Sequence, residues 1–210
     1  MPAPTSRTLT AAAGLAVAAS ACSAPSPREP AMPSATPESA ASMNLMPVKE
    51  WPLKFDKHSF SAYCYDTYGC YVDYAGVDQR DDDPNELRPS SAGYGPDYQR
   101  NWGGGHGGIR NFPAAAKVRW RSKDGAAHET EVDIAKLFAD ETVRHQVPRD
   151  QIIDLPDGIY RQDPTIILEV NDRTVRVWMR AHVGTKALQK PGNRYSDFRS
   201  DVILVETYTF

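Results

Sequence analysis

The sequence is short of several features that would define a function class. It has no apolar run of the roughly 18 residues that a membrane-spanning helix needs. Its 24 Lys and Arg residues and 27 Asp and Glu residues are mixed along the chain, without a basic stripe interleaved with aromatics, so we expect no nucleic-acid partner. Three cysteines among 210 residues, without a nearby histidine pair, do not make a zinc pattern. We therefore expect no metal, no cofactor and no catalytic residue of a recognised motif.

The N-terminus has the three parts of a secretory signal peptide. Arg7 is its only charge, residues 9–21 are alanine-rich and apolar, and the small residues 19–21 lead directly into Cys22. The run Ala-Ser-Ala-Cys resembles a bacterial lipobox, although the usual Leu of the first position is missing. The resemblance implies that residues 1–21 are removed and that Cys22 carries palmitate or similar acyl chains. The alternative is ordinary cleavage that leaves the Cys22 thiol free.

The residues after Cys22 predict a location and a tether. Ser23, rather than Asp, follows the cysteine, which in Gram-negative lipoproteins favours the outer membrane. We therefore expect a lipid-anchored protein of the outer membrane that faces the periplasm. Sixteen of the 25 residues in 23–47 are Pro, Ser or Ala, a composition typical of a disordered chain. Residues 22–50 are predicted to be a flexible tether, and residues 51–210 a single folded domain.

Cys64 and Cys70 lie in the stretch AYCYDTYGCYVDY. Export places them in an oxidising compartment, where disulfides persist, and their spacing is not the C-x-x-C of a redox site. Alternation puts Cys64 on one face with Phe60 and Ala62, and Cys70 on one face with Val72 and Tyr74, while DTYG is typical of a turn. We predict a hairpin whose strand ends are joined by a structural disulfide.

The same alternation places Tyr63, Tyr65 and Tyr71 on the opposite face. If that face is open, it is an aromatic patch suited to a protein partner. The alternative is a second layer that covers the tyrosines.

Residues 75–111 predict a long irregular connection, which in a compact domain is usually functional or disordered. Asp81, Asp82 and Asp83 lack the spacing of an EF-hand and are interpreted as a solvated acidic loop. The run GGGHGG lacks the Gly-Lys-Ser/Thr ending of a phosphate loop. Its His106 is a candidate for a binding loop or, as an alternative, for a catalytic base. Trp102 beside it is a candidate partner-binding ring.

The rest of the chain alternates apolar and polar residues with the period of a β-strand. AKVRWRS and AHETEVD on either side of KDG predict one hairpin, and TIILEV and TVRVWMRAHV around NDR predict another. Asp133 is predicted to cap a short helix over IAKLF. The last strand, SDVILVETYTF, has little polar interruption and is predicted to be central or covered on both faces. The fold class is therefore mostly β, an antiparallel β-sandwich or curled sheet with one short helix.

One face of the TVRVWMRAHV strand carries Arg176, Trp178, Arg180 and His182. This face is predicted to be a solvated sheet surface, with a binding site as the alternative.

Four pieces of the sequence carry a resemblance to a known group of proteins. YCYDTYGC, NWGGGHGGIRNFPAAAKVRW, LEVNDRTVRVWMR and YSDFRSDVILVETYTF resemble a group of uncharacterised proteobacterial lipoproteins, over roughly residues 54–210. Some lipoproteins of similar size and layout are immunity proteins against lipase effectors of type VI secretion. The resemblance implies an immunity role by analogy, and it supplies no catalytic residues.

Three hypotheses of function follow. The first is a non-enzymatic module that binds a protein partner through Tyr63, Tyr65, Tyr71, Trp102 and His106, in its specific form an immunity protein. The second is an envelope hydrolase that uses His106. The third is a structural lipoprotein of the envelope.

Overall fold

The computed structural model describes residues 44–81 and 83–210. The predicted signal peptide, Cys22 and residues 22–43 of the predicted tether lie outside the described residues. The strands are β1 Leu45–Met46, β2 Lys57–Tyr65, β3 Thr67–Tyr74, β4 Val77–Arg80, β5 His106–Arg110, β6 Ala116–Ser122, β7 Ala127–Val132, β8 Leu155–Pro156, β9 Thr165–Asn171, β10 Thr174–Gly184 and β11 Phe198–Thr209. Helix α1 spans Ile134–Leu137, and 3₁₀ turns span Ser91–Tyr94, Tyr98–Asn101 and Arg149–Gln151.

The strands form two main sheets. One has five strands in the order β11-β10-β9-β2-β5, the other has four in the order β4-β3-β6-β7, and β1 and β8 form a small separate pair. The pairings are antiparallel except for β2 with β9, which run parallel. The predicted mostly-β class with one short helix is confirmed.

The core lies between the two main sheets. Alternate residues of β9 and β10 supply its apolar side from the five-stranded sheet, and alternate residues of β3 and β6 supply the other side. The members are Ile166, Leu168, Val170, Val175, Val177, Met179, Val72, Tyr74, Val118 and Trp120, all of them buried. Phe60 of β2 and Tyr74 of β3 meet across the layer with ring centroids 4.6 Å apart. Burial of this apolar surface is the main stabilising contribution to such a fold.

The local predictions of the second half of the chain are confirmed. β6 pairs with β7 and β9 pairs with β10, each in antiparallel register across the predicted turn. Asp133 caps α1, since its carboxylate accepts a hydrogen bond from the Lys136 N–H at 2.9 Å.

The predicted hairpin of residues 58–74 is wrong. β2 belongs to the five-stranded sheet and β3 to the four-stranded sheet, so the two strands do not pair with each other. Asp66, at φ 50°, turns the chain from one sheet into the other. Cys64 and Cys70 are bonded, with 6.4 Å between their Cα atoms. The disulfide therefore joins the two sheets rather than two neighbouring strands.

The predicted position of the last strand is also wrong. β11 is an edge strand that pairs with β10 alone, and Leu204 in its middle is 47% exposed. Its apolar residues are therefore not covered on both faces, although Val205 and Tyr208 pack against the core. A register shift lies opposite Val177 and Trp178 of β10, and such irregularities are common at sheet edges.

The fold begins before the predicted boundary at Trp51. Leu45 and Met46 pair with Pro156 and Leu155, and Val48 is buried in the core. The last residues of the predicted tether therefore belong to the domain. Among the described residues, no helix is long and apolar enough to cross a membrane.

Candidate binding surface

The outer face of the five-stranded sheet is covered by residues 90–105, which we call the covering segment. Trp102 in this segment stacks on Tyr63 of β2, with centroids 5.2 Å apart and planes 11° apart. The Tyr63 hydroxyl donates to the Gly103 carbonyl at 2.7 Å, and the Trp102 Nε1–H donates to the Tyr65 hydroxyl at 2.8 Å. Trp102 is only 3% exposed. Trp102, which the sequence offered as a candidate partner-binding ring, is therefore not at the surface, and the alternative of a second layer over Tyr63 and Tyr65 describes this face.

A buried carboxylate lies at the centre of the covered face. Glu169 of β9 is 0% exposed. Its Oε1 accepts from the Tyr98 hydroxyl at 2.5 Å, from Asn171 Nδ2 at 3.0 Å and from Arg176 Nη1 at 3.3 Å, and its Oε2 accepts from Trp178 Nε1 at 3.0 Å. A buried charge needs such partners to be tolerated. Glu169 therefore connects the covering segment to β9 and β10.

The covering segment is further fixed by Arg180 of β10. Its guanidinium donates to the carbonyls of Trp102 at 2.5 Å and Gln99 at 2.6 Å. Burial lowers the pKa of Arg180. The predicted solvated surface of Arg176, Trp178, Arg180 and His182 is thus wrong for the first three, which lie partly buried beneath the segment, while His182 is exposed.

Burial also raises the pKa values of two tyrosines in this layer. For Tyr65 the hydrogen bond from Trp102 offsets part of the effect. For Tyr98 the hydrogen bond to Glu169 and the charge of Glu169 add to it. Both hydroxyls therefore stay protonated at neutral pH and keep their places in the network.

Tyr71 lies on the outer face of the other sheet. The guanidinium carbons of Arg119 and Arg80 lie 4.6 Å and 5.8 Å from its ring centroid, an arrangement of two cations around one ring. Lys117, Arg119, Glu129 and Glu131 on the same face are exposed. Tyr71 is therefore separated by the sandwich from Tyr63 and Tyr65, and the three do not form the single patch that a hairpin would have given.

Two concave regions adjoin near the disulfide. The first, which we call the β2 cleft, has a volume of about 590 Å³ and lies between residues 62–65 and residues 78–81, with Tyr94 and Tyr98 at its margin. The second, the Tyr71 groove, has a volume of about 580 Å³ and is lined by Tyr71, Arg80, Arg119 and Pro84. Both are bordered by Cys70, Arg80 and Asp81. The candidate binding surface consists of these two regions.

Arg80 and Asp81 differ in role although they are neighbours. The Arg80 side chain is 66% exposed and forms an ion pair with Asp78. Asp81 is 7% exposed, accepts from the Cys70 N–H at 2.8 Å and lies 3.4 Å from Arg88 Nε. The predicted solvated acidic loop is therefore wrong for Asp81, which holds the chain after β4 against β3. Asp83 is exposed as predicted, and Asp82 lies outside the described residues.

His106 begins β5 and is exposed, on the edge strand beside β2. In residues 44–81 and 83–210 its ring has no hydrogen bond to a carboxylate or to a nucleophile. The same residues contain no group of three or more His, Cys, Asp or Glu side chains that is suited to a metal ion. The hydrolase hypothesis and the binding-loop hypothesis for His106 both stay predictions.

A second histidine lies in the core. His58 is 0% exposed; its Nδ1 lies 2.9 Å from Asn111 Oδ1 and its Nε2 lies 3.0 Å from the hydroxyl of Tyr74, which is 1% exposed. Burial lowers the pKa of His58, an effect that Asn111 and Asp163 oppose, and burial raises the pKa of Tyr74. His58 and Tyr74 are closed off from solvent, so these three side chains form a polar contact in the interior of the domain.

Comparison of the chain with protein-family models, with curated proteins and with solved structures gave no match. Function is therefore inferred from the surface itself.

Several residues of the site were not found from the sequence. Gln79 and Arg80 lie in a short edge strand with no distinctive pattern, and their roles depend on which sheet edges meet. Glu169 had a signal, since it is the single charge in the apolar strand TIILEV. A lone charge in such a strand indicates a buried polar contact.

Proposed function

We propose that this chain is an exported lipoprotein whose domain binds another protein through the β2 cleft and the Tyr71 groove. The observation that carries the proposal is the group of Tyr71, Arg80 and Arg119 beside a cleft of about 590 Å³. Tyrosine and arginine are enriched among the residues that dominate interface energies, because each joins a large contact area to strong hydrogen-bonding groups.

The rigidity of the surface supports the same proposal. The disulfide joins the two sheets next to the cleft, and Asp81 ties the end of β4 to β3. A preorganised surface loses less conformational entropy on binding than a mobile one. Three of the five residues first proposed for partner binding, Tyr63, Tyr65 and Trp102, serve this surface as its supporting wall, while Tyr71 is a direct contact in the proposal.

The specific form of the proposal is an immunity protein against a secreted lipase effector. It is supported by the resemblance of the four sequence pieces to a group of proteobacterial lipoproteins, some of similar size and layout being immunity proteins, and by the resemblance of residues 19–22 to a lipobox. A lipid anchor in the outer membrane would hold the domain in the periplasm, which is the compartment that an effector enters.

The test is site-specific photo-crosslinking in intact cells of the source bacterium. A photoreactive phenylalanine analogue replaces Tyr71 in one strain and Tyr195, which is 67% exposed and lies outside both concave regions, in a control strain. We expect one protein to be crosslinked at position 71 and not at position 195. The purified partner should then bind Tyr71→Ala at least roughly 30-fold more weakly, as a hot-spot residue does.

A matched substitution separates stacking from charge. Arg119→Lys keeps the positive charge but loses the planar group that lies over Tyr71, and should weaken binding, whereas Lys117→Arg on the same face should not. Equal crosslinking at positions 71 and 195 would contradict the proposal. So would hydrolysis of an envelope substrate by the purified protein that is lost in His106→Ala.

The anchor has its own test. Cys22→Ser should release the protein from membranes, since the acyl chains are the proposed membrane contact and several chains together give stable anchoring. Sedimentation of the variant with outer membranes after a salt wash would exclude lipidation as the anchor.

A further inference from the structure

β2 is longer than the strand that pairs with one of its edges. β5 pairs with β2 at Lys57, His58 and Phe60 only, whereas on the opposite edge β9 pairs with β2 as far as Tyr65. In the part of the chain that the structure describes, residues 62–65 therefore have a strand neighbour on one edge alone. Unpaired strand edges are templates for the addition of another strand.

The peptide groups of this free edge point into the β2 cleft. The Ala62 N–H donates across the cleft to Oε1 of Gln79 at 2.6 Å. Peptide groups of alternate residues in a strand point to the same side, so the carbonyl of Ala62 and the N–H and carbonyl of Cys64 point into the cleft as well. The Gln79 carboxamide oxygen occupies the place that the carbonyl of a neighbouring strand would take.

The cleft limits the length of chain that fits along this edge. At about 3.3 Å per residue, residues 62–65 present an edge of about 10 Å. The edge ends at Asp66, whose N–H donates to the Pro89 carbonyl at 3.4 Å. A short extended segment fits this length, while a helix does not expose main-chain groups to an edge of this kind.

The charges at the margin favour recognition of the main chain. Arg80 is paired with Asp78, and Arg88 lies 3.4 Å from Asp81. Because each cation has its anion, the cleft presents little uncompensated charge to a ligand. Tyr94, which is 52% exposed at the margin, offers a ring to an alternate side chain of the ligand.

We propose that the β2 cleft binds an extended segment of a protein partner by β-strand addition to residues 62–65, with a ligand carbonyl replacing Gln79 Oε1 at the Ala62 N–H. The inference rests on the proposed protein-binding function and specifies how part of the partner is recognised. In this mode main-chain hydrogen bonds supply affinity and alternate side chains supply specificity.

The test begins with a library of random linear seven-residue peptides displayed on phage, selected against the mature protein in detergent. The selected peptide is synthesised with each main-chain amide N-methylated in turn. We expect methylation at alternate positions to weaken binding by roughly two- to tenfold or more, because each such amide donates to the edge. A uniform effect, no effect, or the recovery of no binding peptide would overturn the inference.

Amide hydrogen exchange of the unmodified protein gives a second readout. Peptide binding should slow exchange at Cys64, whose N–H faces the cleft, and leave exchange at Tyr63, whose peptide group faces β9, unchanged. Gln79→Met removes the competing oxygen at similar length and should strengthen peptide binding by roughly two- to tenfold. Gln162→Met, at an exposed position away from the cleft, is the matched control.

The two proposals fail separately. A partner crosslinked at Tyr71 without alternate N-methyl effects and without protection of Cys64 would leave protein binding intact and exclude strand addition. Absence of both the crosslink and the peptide binding would exclude protein binding itself.

Discussion

The outer faces of the two sheets carry similar residues in different surroundings. Both have tyrosines beside arginines. On the five-stranded sheet the covering segment leaves them half-buried and encloses Trp102 and Glu169, whereas on the four-stranded sheet Arg80 and Arg119 are exposed beside the half-buried Tyr71. On the covered face the polar groups bond to one another, as Tyr98, Arg176 and Trp178 do with Glu169. On the open face Arg119 lies over Tyr71 with its charge accessible. The first arrangement stabilises the fold, and the second is the one that we propose contacts a partner.

The largest expected effect distinguishes the two faces directly. Trp102→Ala should lower the free energy of unfolding by about 3–5 kcal/mol, since it removes a buried ring and leaves a cavity under the covering segment. Tyr71→Ala on the open face should cost only about 0.5–1 kcal/mol, the size of an exposed cation–π contact. Urea unfolding followed by tryptophan fluorescence and circular dichroism measures both. Similar losses in the two variants would contradict the comparison.

Loss of the disulfide should lower the stability of the whole domain, because the bond joins the two sheets. Closing a loop this small restrains the unfolded chain by about 2 kcal/mol in the chain-entropy model. A Cys64→Ala and Cys70→Ala double variant should therefore unfold at a lower temperature than the parent protein in calorimetry. Mass spectrometry of the exported protein should find both thiols bonded to each other. Two free thiols in protein isolated from the periplasm would contradict the assignment.

The carboxylate of the covered face should be sensitive to a conservative change. Glu169→Gln keeps the shape but replaces one carboxylate oxygen with an amide N–H₂, so that either the donors at Oε1, which include Tyr98, or the donor at Oε2, Trp178, lose their acceptor. The expected cost is about 1–3 kcal/mol, the penalty of a buried unsatisfied donor. Glu131→Gln on the open face is the matched control and should change the free energy of unfolding by less than about 0.5 kcal/mol. Equal stabilities would mean that the network does not hold the covering segment.

The smallest effect is a dependence of stability on pH. Burial holds the pKa of His58 below the ordinary 6.5, so the unfolded chain takes up a proton first as the pH falls. The free energy of unfolding should be constant with respect to this group above about pH 6.5 and decrease below it, by at most about 1.4 kcal/mol per pH unit.

Two variants identify the histidines that cause this pH dependence of stability. His58→Gln should flatten the decrease, and His145→Gln should remove a separate part, because burial also lowers the pKa of His145. Urea titrations at a series of pH values measure the slopes. A slope that is unchanged in His58→Gln would show that His58 is not its source.

Much of the candidate site depends on contacts between segments that are far apart in sequence, and local sequence patterns do not predict such contacts. The tyrosines at 63, 65 and 71 were recognised by alternation, which predicts the side of a strand but not the sheet to which the strand belongs. Gln79 acquires its role only because β4 comes to lie opposite the free edge of β2. Trp102 is buried because residues 90–105 cross the outer face of strands that are distant in sequence. No local pattern describes that path.

The sequence by itself determined the mostly-β class, the hairpins β6–β7 and β9–β10, the cap of α1 and the pairing of Cys64 with Cys70. These depend on side-chain alternation, turn residues and short separations along the chain. Only the tertiary structure decided that β2 and β3 part into different sheets, that β2 lies parallel to β9, that β11 is an edge and that one aromatic face is covered. The physical reason is that strand pairing and layer packing join residues far apart in sequence, where many alternative partners satisfy the same local pattern.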